Sequence, residues 1–107
     1  GGKKMIKNVE ISKEYTEIIK ASESTLANLG IYFCNSDTKN ADVIDVFVIS
    51  EGQQPSDIAK VVSKLYIPPC ETFMFGHEKF IVDQGESIGA QAQVGGRVAA
   101  TVTFTNI

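Results

Sequence analysis

The 107-residue chain has no tryptophan, one histidine (His77) and one arginine (Arg97). Each scarcity closes off a class of function. Without an indole ring, a sugar platform would have to be assembled from Tyr32, Tyr66, Phe73, Phe75 and Phe80. These sit at strand-like spacing among aliphatic residues, where core packing is the expected role. One imidazole cannot make the histidine cluster of a small jelly-roll enzyme, and Phe75-Gly76-His77-Glu78 reads as a turn with no nucleophile beside the histidine. Neither GxSxG nor HExxH occurs. The internal glycine pair, Gly95-Gly96, does not stand between a strand and a helix as a phosphate loop would.

The two cysteines, Cys34 and Cys70, lack CxxC spacing and are expected to be free thiols, Cys34 as a small buried hydrophobe. Together with His77 they fall short of a zinc ligand set. Asp42 and Asp45 lack calcium-loop spacing, and Asp83 is expected to bond its own backbone in the turn it shares with Gly85 and Glu86. No cofactor is expected. No apolar run exceeds four residues, as in Val46-Phe47-Val48-Ile49, so no transmembrane helix and no membrane partner are expected. No basic segment leads into an apolar stretch, and no signal peptide is expected. A net charge of −3 argues against general nucleic-acid binding.

What the sequence does have is punctuation. Turn residues recur at Asn35-Ser36-Asp37, Lys39-Asn40, Glu51–Ser56, Pro68-Pro69, Gly76, Asp83-Gln84-Gly85 and Gly95-Gly96. The runs between them are short, and several alternate with period two. Ile88, Ala90, Ala92 and Val94 share one face, then Val98, Ala100, Val102 and Phe104 share another, which predicts a hairpin closed by Gly95-Gly96. Residues 42–50 carry apolar side chains on both faces, the pattern of a central strand covered twice. Leu29, Ile31 and Phe33 define a further strand; 71–75 and 78–82 are short ones. Residues 57–67 fit either a helix capped by Ser56 or an extended segment ending at Pro68. In the first third, strand alternation through Val9, Ile11 and Tyr15 competes with helical spacing, and strands are preferred. The whole predicts an all-β protein, an antiparallel β-sandwich of jelly-roll type with about eight strands.

Charge is uneven. Residues 1–20 hold five lysines and three glutamates, while the rest of the chain is acidic. Residues 1–12 are therefore expected to form an N-terminal arm outside a domain spanning 13–107. Lys3, Lys4, Met5, Ile6, Val9 and Ile11 would make subunit contacts, with Arg97 as a further anchor beside the glycine pair.

Three motifs fall in order along residues 23–107. Ile31-Tyr32-Phe33-Cys34-Asn35 precedes a valine-rich strand; Ile67-Pro68-Pro69-Cys70-Glu71-Thr72 follows; then Gly85-Glu86-Ser87-Ile88 leads into the last two strands. This order resembles small β-sandwich virion proteins of tailed bacteriophages, with Cys70 standing where a glycine is more usual. The resemblance implies a non-enzymatic neck, tail or fibre-attachment part. Such a protein would assemble in the bacterial cytoplasm, contact other virion proteins and form homo-oligomers. Head decoration, and a carbohydrate-binding receptor-recognition module, are the alternative roles.

Overall fold

The structure, a computed structural model, describes residues 3–75 and 80–107, with the backbone alone for Leu29 and Phe80. The readings placed on Gly76-His77 and on the Cys34–Cys70–His77 set therefore lie outside the described residues. Among the described residues nine strands follow in order: β1 (Lys4–Glu10), β2 (Thr16–Lys20), β3 (Leu26–Asn35), β4 (Asp42–Ile49), β5 (Lys60–Ile67), β6 (Thr72–Phe75), β7 (Phe80–Val82), β8 (Ser87–Ala92) and β9 (Val98–Asn106). Sheet A runs β1-β9-β3-β6, with β7 continuing beside β3; sheet B runs β2-β8-β4-β5. Every pairing is antiparallel.

The pairs nest. β1 joins β9, β2 joins β8, β3 joins β6 and β7, and β4 joins β5, as in one long hairpin. That hairpin is wrapped so that β9 also meets β3 and β8 also meets β4. Such a rolled, nested hairpin in two facing sheets is a jelly roll. Between the sheets lies one continuous core, in which Phe33, Ile11, Ile18, Ile31, Ile44 and Ile88 are the bulkiest members. The β-branched residues of alternating strands supply it because every second side chain faces inward.

Four expectations need correction. The runs 88–94 and 98–104 do not pair with each other: β8 lies in sheet B and β9 in sheet A. Alternation fixes which residues face inward but not which strand is the neighbour, and here the chain crosses from one sheet to the other. Gly95 and Gly96 have φ of +92° and +77°, as a sharp crossover needs. The buried Asp42 carboxylate pins it, accepting N–H bonds from Val94 (3.1 Å) and Gly95 (2.9 Å) as well as from Val43 (2.8 Å). A side chain at Gly95 would meet the backbone of Ser12 and Lys13.

Residues 4–11 are, second, not an arm outside the domain. β1 pairs with β9 along its whole length, and Ile11 is fully buried in the core. Its inward side chain continues the row of Met5 and Val9, so apolar residues that suggested docking to a neighbour instead complete this chain's own sheet. Third, Cys34 is exposed, because it shares a face with Tyr32 and not with Ile31 and Phe33. Fourth, Tyr32, Tyr66 and Phe73 are not core residues.

The ambiguous 57–67 segment resolves into one 3₁₀ turn, Asp57–Ala59, followed by β5, and Ser56 makes no side-chain cap. The turn before β8 is held by Glu86, whose carboxylate accepts the Asp83 N–H at 2.9 Å, rather than by the Asp83 side chain.

Candidate interaction surface

The two sheets finish their outward faces differently. On sheet B, Phe47 and Ile49 of β4 point away from the main core and would meet water. Tyr15 and Ala59 cover them. The Tyr15 ring meets Phe47 edge-on, with centroids 5.5 Å apart at 77°. It lies so close over Gly89 that a side chain there would strike the phenol. Burial pushes the Tyr15 hydroxyl pKa above its ordinary value.

Lys60 closes the other side. Its ammonium sits 5.9 Å from the Phe47 ring centre and pairs with Asp57 (3.0 Å) and Asp45 (3.4 Å). The second Asp45 oxygen accepts the N–H of Lys64 at 2.7 Å, and Lys64 holds a left-handed φ of +54° in the β5 bulge. An open groove of about 330 Å³ beside them is lined by Lys13, Glu14, Asp45, Lys64, Gln91 and Gln93 with Val43 and Ala92. Its lining contains no aromatic ring, so it offers a sugar no stacking platform.

Sheet A is bare. Direct register partners share a face, which orders its outward residues into rows. One row is Asn8, Thr101, Tyr32 and Met74; the next is Glu10, Ala99, Cys34 and Thr72. On the other side lie Ile6, Thr103 and Gly30, then Lys4, Thr105, Ala27 and Ile81. Ile6, Tyr32, Met74 and Ile81 are all exposed. The polar groups among them are satisfied in part within the face: the Thr101 hydroxyl donates to Asn8 Oδ1 at 2.7 Å. Among the described residues of this face, only Lys4 and Glu10 are charged, and both stand on β1.

The edges are poor docking points. On β1, Lys7 sits on the inward row opposite Val102, an inward charge that discourages a second strand from adding there. The opposite edge is split between the short β6 and β7. In sheet B, β2 shifts register between Glu17 and Ile19, and β5 carries the Lys64 bulge.

The predicted contact residues thus separate. Ile6 is exposed on the bare face with Lys4 beside it, and Lys3 is exposed just before β1. Met5 and Val9 are half-buried, and Ile11 belongs to the core. Arg97 is used inside the chain: its Nη1 donates to the Ala41 carbonyl at 2.8 Å and its Nε lies 3.7 Å from Asp37. N–H bonds from Lys39 and Asn40, with Arg97 nearby, hold the Asp37 carboxyl below the usual range. Tyr32 and Met74 were not expected on a contact surface. The signal was available for Tyr32, since alternation about Ile31 and Phe33 sends it outward.

The three family-like motifs build turns. Asn35 is fully buried at the end of β3; its amide donates to the carbonyls of Asn40 (3.0 Å) and Ile67 (3.1 Å), and its oxygen accepts the Asp37 N–H. Cys70 has a φ of +63°, the left-handed region in which glycine is favoured. Gly85 has a φ of +90° and leads into β8. Among the described residues no cluster of histidine, cysteine or acidic side chains could hold a metal, and no helix is long and apolar enough to cross a membrane. Compared with known proteins, the chain matches no protein-family model and no curated protein.

Proposed function

We propose that this protein is a non-enzymatic structural component of a tailed bacteriophage virion, at the neck, tail or fibre attachment, working through protein–protein contacts. One observation carries the reading: among the described residues, the outward face of sheet A carries no charge between its Lys4 and Glu10 rows and exposes Ile6, Tyr32, Met74 and Ile81, while on sheet B Phe47 and Ile49 are covered by Tyr15 and Ala59. Large apolar side chains left exposed on one face of a small domain suit an interaction site. A flat sheet face suits repeated contact with other protein surfaces and offers no cleft in which to enclose a reacting group. The jelly-roll architecture, which viral shells use, and the three turn motifs are consistent with that role. Fold alone does not assign function, so the weight rests on the face and on the motifs.

The test is to purify particles of a phage that encodes this chain, identify their proteins by mass spectrometry, and locate the chain by electron microscopy. Stoichiometric presence at the neck, tail or fibre base is the expected result. Absence from particles would overturn the proposal, and a shell-wide distribution would move the protein to head decoration.

A further inference from the structure

The bare face is self-complementary. Lys4 and Glu10 occupy opposite ends of β1 in the outward rows, with Ile6 and Asn8 between them. We infer that this face closes on the same face of a second copy, about a two-fold axis that runs across the strands between the Ile6 and Asn8 rows. This inference rests on the contact role proposed above and specifies its partner.

Such an axis exchanges the outer rows and the inner rows. Lys4 then lies over the partner's Glu10, and Glu10 over the partner's Lys4, so the two charges that the described face carries are paired. Tyr32 comes opposite the partner's Gly30, a position without a side chain. A two-fold axis along the strands would instead set Lys4 over the partner's Ile81 and Glu10 over the partner's Thr72, so neither charge would meet a counter-charge. Two sheets packed face to face also lie within about 30° of parallel, which keeps the end rows within reach of long side chains.

The face is large enough. Its strand β9, between β1 and β3, has nine residues. At about 3.3 Å per residue and about 4.8 Å between strands, four strands cover roughly 30 by 19 Å. That is about 600 Å² per copy and about 1,200 Å² for the pair, at the lower bound of specific stable interfaces. Blunted edges direct association to this face and away from strand addition.

The experiment is sedimentation velocity on the full chain with a charge-reversal cycle. Wild type is expected to be a monomer–dimer system. Lys4→Glu and Glu10→Lys each place like charges together twice and should weaken the dimer by about tenfold. The double variant Lys4→Glu/Glu10→Lys should recover to within about threefold of wild type. Both residues are exposed, so thermal melts should confirm that all variants fold. A dimer indifferent to reversal, or one the double variant fails to restore, overturns the two-fold arrangement.

A wild type that stays monomeric at high concentration overturns the inference as a whole. Hydroxyl-radical footprinting of Tyr32 and Met74 in phage particles then separates the two levels of the account. Protection there would mean that a different virion protein covers the face and the proposed function stands. Full reactivity there would remove both.

Discussion

Phe47 and Tyr32 both project from the outward faces of a jelly roll, yet Phe47 is 3 % exposed and Tyr32 45 %. The difference lies in what the chain spends on each. Sheet B receives Tyr15, a 3₁₀ turn and a lysine held by two aspartates, all of which seal Phe47 and Ile49. Among the described residues sheet A receives no such cover over Ile6, Tyr32, Met74 and Ile81 of its outward rows. An apolar face that the fold requires is covered by the fold. One left open is available to the contacts proposed above.

The largest expected break of this contrast is Phe47→Ala. It opens a cavity under Tyr15 and the 3₁₀ turn and should cost about 3 kcal/mol, read as a shifted midpoint in chemical denaturation. Gly89→Ala comes next. Its new methyl must displace the Tyr15 ring or press on the Thr16 carbonyl, for a loss of about 2 kcal/mol, and Gly89→Ala in a Tyr15→Ala background should cost less. Asp45→Ala removes the acceptor for the strained Lys64 N–H and one partner of Lys60, worth about 1 kcal/mol.

A pH experiment sharpens the comparison. The raised Tyr15 pKa means that the folded state holds the phenol proton more tightly than the unfolded chain. Its contribution is intact below the ordinary value of 10.0 and is lost as pH rises through the folded value. Wild type should therefore lose more stability than Tyr15→Phe between pH 9 and pH 11, a range set by that pKa. A parallel decline in both would place Tyr15 in water. The smallest effect belongs to the bare face: Tyr32→Ser should change monomer stability by no more than about 0.5 kcal/mol.

Much of the fold was legible in residues. Alternation and turn residues placed strands at 42–50, 71–75 and 98–105, within one residue of the ends of β4, β6 and β9. Partnership was not legible. The Gly95-Gly96 pair carries a hairpin signature, and only the Asp42 carboxylate, fifty residues away in sequence, turns it into a crossover between sheets. A lysine-rich start looked like an arm because composition reports charge and not register; the inward row of Met5, Val9 and Ile11 appears once β9 is placed beside it. Arg97 looked available for the same reason, and Asp37 and Ala41 reach it only after the 35–42 loop is folded. The double-sided pattern at 42–50 did announce a covered outer face, and its cover is Tyr15 and Ala59 of this chain.

The account's central claim is that sheet A's outward face serves association and not folding. Sedimentation velocity on Tyr32→Lys, at a concentration where wild type is dimeric, tests it most directly. The account predicts a single sedimenting monomer whose melting temperature stays within about 3 °C of wild type. A variant that unfolds would make Tyr32 part of the fold, and one that dimerises like wild type would show that association uses another surface; either result contradicts the claim.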